Sequence, residues 1–222
     1  NVTMDLAGTE LIEYRALGGA DNVIVGDLSG TDVTRLDADL RGPNGGGDGA
    51  GDAVTVNGTQ GADVFGAAGD AGGVNVFGLK ADIAIFSPEQ ANDRLTLNGL
   101  GGIDQIDGTS LEADGIQLTE NGGLGDDVLL GSEGDDLVNG GDGDDFAALG
   151  AGNDTFVWNP GDDNDVLEGQ SGFDTMVFNG SAIGETLTVA ANGDRVRFTR
   201  NIANIVMDLD DVEAIDTLAR GG

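Results

Sequence analysis

The 222-residue chain contains no cysteine and no histidine. Without cysteine there is no disulfide framework and no thiolate for catalysis or soft-metal binding. Without histidine the commonest general base and the commonest zinc ligand are both missing. Positive charge is scarce too. Nine Lys+Arg stand against 41 Asp+Glu, the formal net charge is −32, and Lys80 is the one lysine. Such a surface repels polyphosphates and anionic lipid, so neither nucleic acid nor membrane insertion is expected. No apolar run approaches the ~20 residues of a membrane-spanning helix, and the first residues lack the charged-then-apolar order of a cleaved secretory signal. Ser87, Ser110 and Ser171 have no histidine to activate them. No lysine-bearing phosphate loop occurs, and no carboxylate pair is set apart by an apolar surround. The chain is therefore read as non-enzymatic.

What is abundant is glycine, at 41 residues, and aspartate, which supplies 32 of the 41 acids. A solvated acidic face would use glutamate as freely, and here aspartate is phased to glycine. From Gly122 the text runs Gly-Gly-Leu-Gly-Asp-Asp-Val-Leu-Leu, Gly-Ser-Glu-Gly-Asp-Asp-Leu-Val-Asn, Gly-Gly-Asp-Gly-Asp-Asp-Phe-Ala-Ala, Leu-Gly-Ala-Gly-Asn-Asp-Thr-Phe-Val. The sixth position holds Asp127, Asp136, Asp145 and Asp154. After a two-residue slip around Pro160 the pattern resumes at Asp165 and Asp174.

Six residues of turn followed by three of strand is the simplest reading of each repeat. Glycine stands where the backbone needs positive φ, as at Gly125, Gly134, Gly143, Gly152 and Gly172. Such turns aim carbonyl oxygens inward, and the aspartates add carboxylate oxygens. Calcium takes six to eight oxygens at about 2.3–2.6 Å, more than one turn can offer, so two stacked turns are expected to share each ion. Leu129, Val138, Phe156, Leu167 and Met176 are expected to point inward. Carboxylates about 5 Å apart repel by roughly 3 kcal/mol at an effective dielectric near 20, so the segment is expected to be disordered until calcium binds.

The repeat resembles the RTX family of secreted bacterial proteins, whose nonapeptide is Gly-Gly-x-Gly-x-Asp-x-U-x with U a large apolar residue. Ser132 and Leu149 depart from it where glycines belong, and Ala147 is a small U residue. The resemblance implies an all-β fold, a parallel β-roll or β-helix solenoid, with several Ca2+ ions in the turns over residues 122–178. It implies Asp127, Asp136, Asp145, Asp154, Asp165 and Asp174 as side-chain ligands. Carbonyls of Gly123, Gly125, Ser132, Gly134, Gly141, Gly143, Gly150 and Gly152 would complete the shells. It also implies an extracellular or cell-surface location, reached by type I secretion through an uncleaved C-terminal signal. No such signal is identified, and the chain is expected to be part of something longer.

Outside this block the rhythm is looser. Residues 53–121 carry apolar beats at Val54/Val56, Val64, Val74/Val76, Ile83/Ile85, Leu95/Leu97, Ile106 and Ile116/Leu118, read as an irregular continuation of the solenoid. An antiparallel sandwich is the alternative. Residues 41–52 form a Gly-rich loop, with Asp48 and Asp52 as an alternative extra calcium loop. Asp21 follows a degenerate turn at Gly18-Gly19-Ala20. Residues 179–222 are read as closing strands, with Val196 and Phe198 inward and Arg195, Arg197 and Arg200 on an exposed face. Trp158 is read as core or end packing, with a sugar-stacking platform as the alternative.

Residues 1–40 begin with a segment that returns at the other end. Residues 1–19 and 204–222 match at nine of nineteen positions with an offset of 203, including Met4/Met207, Asp5/Asp208, Glu10/Glu213 and Ile12/Ile215. This suggests a tandem-unit junction, with self-association or covalent tandem copies through matching ends. The expectation is an extracellular calcium-binding structural repeat protein, a unit of a tandem array, filament, surface layer or adhesin. The rival readings are a non-catalytic module of a secreted enzyme and a carbohydrate-binding module.

Overall fold

A nine-residue repeat with a three-residue strand cannot cover both faces of a core, so alternate repeats must serve opposite sheets. The computed structural model, which describes residues 3–218, has this arrangement. Val128–Leu130 and Phe146–Ala148 join one sheet, whereas Leu137–Asp142 and Thr155–Trp158 join the other. Two nonapeptides therefore make one coil. Thr119 pairs with Leu137 and Leu137 with Thr155, and on the facing strands Val128 pairs with Phe146, all in parallel. Beyond the slip the steps become Phe146 to Val166 and Thr155 to Thr175. The two extra residues are absorbed in the 158–164 segment, where the Trp158 indole N–H donates to the Asp163 carbonyl at 2.9 Å.

Among the described residues the fold is all-β, without helix. One sheet has eight strands, and every neighbouring pair in it is parallel. The other large sheet has twelve strands and is mixed, where a parallel β-roll or β-helix was expected, and a two-stranded ribbon pairs Ala151–Gly152 with Ser171–Gly172. Two antiparallel excursions leave the coil path. In the first, Val64–Asp70, Gly73–Phe77 and Asp82–Phe86 form a meander. In the second, Leu187–Asn192, Arg195–Arg200 and Ile205–Asp210 do the same. Both begin with a two-residue hairpin turn, Ala71-Gly72 and Gly193-Asp194, and Gly193 takes the positive φ that favours glycine.

Both sheets feed one hydrophobic cluster. Leu129, Ala147, Leu167 and Leu209 lie in register along the mixed sheet, and Val138, Phe156 and Met176 along the parallel one. All five residues expected to point inward are fully buried. Upstream, Val54, Val56, Leu95, Leu97, Ile106 and Leu118 are buried as expected, but Val64 is 67% exposed. Its neighbour Phe65 takes the inward place, opposite Ile106. One inward position is polar. Glu120 sits between Leu97 and Val138, fully buried with neither carboxylate oxygen partnered. Lost hydration, helped by the charges of Asp136 and Asp107, holds its carboxyl well above the usual range.

The C-terminal end is closed by aromatics. Trp158 stacks on Phe178 at 4.1 Å between ring centroids, and Phe178 meets Phe198 at 4.7 Å. Trp158 is fully buried, which leaves no face for a sugar. Arg200 is not on an exposed face. It is 4% exposed, its guanidinium lies 5.3 Å over the Trp158 ring, and it pairs with Glu185. Arg195 binds Glu168 and Asp208 at 2.7 and 2.9 Å, offsetting nearby acid. Met4, Asp5, Glu10 and Ile12 are described, whereas part of the matched ends, residues 1–2 and 219–222, lies outside the described residues.

Candidate metal centre

Each aspartate of the repeat is the last residue of its turn, immediately before a strand. In all of them but Asp165 the backbone N–H points along the stack and donates to a carboxylate further along it. Because repeats alternate between sheets, the six predicted aspartates divide into two ladders on opposite edges. On one edge Asp127 donates to Asp145 Oδ1 at 2.8 Å and Asp145 to Asp165 Oδ1 at 3.0 Å. On the other, Asp136 donates to Asp154 Oδ1 at 2.8 Å and Asp154 to Asp174 Oδ1 at 3.0 Å. Asp174 then donates to Glu213 at 2.7 Å, ending that ladder.

Sequence reasoning missed that both ladders continue upstream. Asp63 donates to Asp104 and Asp104 to Asp127, both at 2.7 Å. On the other edge Asp21 donates to Asp52 at 2.8 Å and Asp52 to Asp93 at 2.9 Å. Ile116 then stands where the next aspartate would be, and the second ladder is interrupted. The available signal was an aspartate two residues before a buried apolar residue, as at Asp52/Val54, Asp93/Leu95 and Asp104/Ile106, obscured because the upstream coils take 23 to 41 residues instead of 18. Asp48 lies beside the second ladder, accepting N–H groups from Gly19 and Ala50.

The six predicted aspartates are at most 4% exposed. Their second oxygens differ. Oδ2 of Asp127, Asp145, Asp154, Asp165 and Asp174 is buried with no hydrogen-bond partner. Burial has removed hydration and returned only one N–H bond, so these groups resist ionisation. Loss of hydration, aided by neighbouring carboxylates and opposed by the N–H bond, pushes Asp127 up to about 6, Asp145 to about 7, and Asp154 and Asp165 to about 8. Asp174 is raised for the same leading reason. An isolated buried charge is costly unless it is paired or bound to metal.

The turns bring backbone carbonyls close to the neighbouring coil. Gly123, Gly125, Gly141, Gly143, Gly150 and Gly152 all adopt positive φ, between 101° and 148°. Each lies so close to a carbonyl of the preceding coil that no side chain fits. A Cβ on Gly152 would lie 2.5 Å from the Gly134 carbonyl, and one on Gly122 would lie 2.5 Å from the Gly140 carbonyl, with Asp127 Oδ2 beside it. Among the described residues no three carboxylates converge. Carboxylate and carbonyl oxygens are the groups these turns offer, a donor type that suits a hard cation such as calcium better than zinc or copper.

Asp136 is built differently. Its Oδ2 accepts the Ser132 N–H at 2.5 Å and its Oδ1 the Ser132 hydroxyl at 2.8 Å, so its turn closes on itself. Neither Ser132 nor Gly134 has positive φ. Burial still raises the Asp136 carboxyl, to about 7. Asp63 is closed in the same way by Thr59, at 2.6 Å to the N–H and 2.9 Å to the hydroxyl.

A repeating glycine turn with a buried, half-satisfied aspartate is the arrangement of a calcium-binding repeat. The family model of the RTX calcium-binding nonapeptide repeat matches the chain in four copies, over residues 121–156 and 161–177. The segment 121–177 thus consists of RTX calcium-binding repeats. Comparison with curated proteins finds no match to the chain.

Proposed function

We propose that this chain is an extracellular structural unit whose β-roll folds when calcium enters its turns. The observation that carries the reading is the row of buried Oδ2 atoms on Asp127, Asp145, Asp154, Asp165 and Asp174, each without a partner, with the Gly140 carbonyl beside that of Asp127 and the Asp211 carbonyl beside that of Asp174. Calcium would bind to those oxygens, with carbonyls of Gly123, Gly125, Gly141, Gly143, Gly150 and Gly152 from adjacent coils. Asp136, with the Ser132 and Gly134 carbonyls, would join the set only after giving up its bonds to Ser132. Cation charge would replace the missing hydration and convert mutual repulsion into a bridge between coils. Affinity on the order of 10⁻⁴–10⁻³ M, as in extracellular modules, would leave the chain unfolded inside the cell and folded outside. Export by type I secretion fits that logic, and RTX repeats are typical of secreted proteins.

The unit would act as a stiff spacer joined end to end, as in a filament, surface layer or adhesin stalk. Two features support this. Leu11–Arg15 and Ala214–Leu218, equivalent under the 203-residue offset, are each the edge strand of a sheet. Met207 and Leu209 are core residues of a strand, whereas their counterparts Met4 and Leu6 are 74% and 54% exposed. A preceding unit would bury that pair. Far-ultraviolet circular dichroism at pH 8 tests the calcium reading: strand signal should need millimolar calcium, and full signal in excess chelator at low salt would defeat it. Electron microscopy tests the assembly. Calcium-dependent rods are expected, and monodisperse single units at high concentration would count against them.

A further inference from the structure

Asp104 lies outside the matched repeats, yet it has the same half-satisfied environment as the repeat aspartates. It is 2% exposed. Its Oδ1 accepts the Asp63 N–H, its own N–H goes to Asp127, and its Oδ2 is buried with no partner. The turn before it copies the turn before Asp127 in register: Leu100 pairs with Gly123 and Gly101 with Leu124. Gly102 N–H donates to the Leu124 carbonyl at 2.8 Å, as Gly125 N–H donates to the Asp142 carbonyl at 2.7 Å. A Cβ on Gly99 would lie 2.5 Å from the Gly122 carbonyl, with Asp104 Oδ2 beside it, the same cradle as at Gly122.

The backbone separates two kinds of turn. Where the aspartate keeps an orphan oxygen, the residue four places before it has positive φ: Gly123, Gly141, Gly150, Gly161 and Gln170. Where that residue is Ser132 or Thr59, φ is ordinary and its own N–H and hydroxyl satisfy the carboxylate. Leu100 belongs to the first kind, with φ of 77°, a conformation that branched or bulky side chains avoid. A strained leucine and an unmet carboxylate oxygen at one turn both make sense if an ion completes it.

We propose that turn 98–104 is a further calcium site, with Asp104 Oδ2 as its carboxylate ligand and the Gly122 carbonyl among its backbone ligands. This extends the calcium reading of the repeats to a loop that their pattern does not cover. Native mass spectrometry of the calcium-loaded chain counts the ions directly. Asp104→Asn should carry one ion fewer than the unaltered chain, and the surface change Asp82→Asn should carry the same number. Leu100→Ser gives a second route that does not depend on Asp104→Asn folding. A serine there can close on Asp104 as Ser132 closes on Asp136, so one ion should be lost while the loaded circular dichroism spectrum is kept. Unchanged counts in Asp104→Asn and Leu100→Ser would overturn this site and leave the repeat sites standing. A chain that loads no calcium at all would overturn both.

Discussion

Protons should substitute for calcium in this fold, and the effect is large enough to measure. Loss of hydration holds Asp154 and Asp165 at about 8, against an ordinary 3.8, while no cation pairs with them. At about 1.4 kcal/mol per pH unit, keeping either ionised in that structure at pH 8 costs about 6 kcal/mol. Two such residues approach or exceed the whole net stability of a domain, about 5–15 kcal/mol. The sign follows from proton occupancy. The folded state keeps protons that the unfolded chain has already released above 3.8, so the stability of the calcium-free fold is greatest at acid pH. It is lost as pH rises toward 8. Calcium reverses the direction, because it needs the ionised carboxylates: the loaded form is most stable at neutral to basic pH and releases its ions as acid competes. The assay is far-ultraviolet circular dichroism between pH 8 and 5, in chelator and in millimolar calcium. In chelator the strand signal should rise as pH falls, and in calcium it should be full at pH 8, with apparent affinity weakening toward pH 5. Full strand signal in chelator at pH 8, unchanged down to pH 5, would refute the reasoning.

Three substitutions probe other parts of the account. Gly143→Ala places a side chain at φ 148° against the Gly125 carbonyl; a loss of roughly 1–3 kcal/mol is expected, read as a higher calcium midpoint for folding. Phe178→Ala removes the ring between Trp158 and Phe198 and should cost about 3–5 kcal/mol, seen as a lower melting temperature of the loaded form with its ion count unchanged. Arg200→Met leaves Glu185 as a largely buried acid without its cation and should cost about 3–5 kcal/mol at neutral pH. Chemical denaturation at fixed calcium measures that cost, and much of the stability should return when Glu185→Leu is added.

The regular part of this structure was legible because physical period and sequence period coincide. Nine residues form one turn and one strand, so the inward places of Leu129, Val138, Phe156, Leu167 and Met176 follow from counting. What counting could not give was the division of the aspartates into two edges, which depends on which sheet each strand joins. Upstream the coils vary in length, so Asp104 and its neighbours lost their phase although their turns did not. Val64 and Phe65 show the limit of a hydrophobic beat: either can face inward, and pairing with Ile106 decides. The antiparallel meanders were signalled by Gly72 and Gly193, but a strand-and-turn rhythm does not say whether the chain crosses to the other sheet or folds back. Ser132 looked like a poor glycine, whereas its hydroxyl and N–H serve Asp136. Arg200, read as a surface charge, found both Glu185 and the face of Trp158.

The most direct test is anomalous scattering from a calcium-loaded crystal. Ions bridging adjacent coils predict a calcium peak within about 2.6 Å of Oδ2 on Asp127, Asp145, Asp154, Asp165 and Asp174, with carbonyls of two coils in each shell. Folded chains whose Oδ2 atoms show no such peak would contradict the claim that cations hold the turns together.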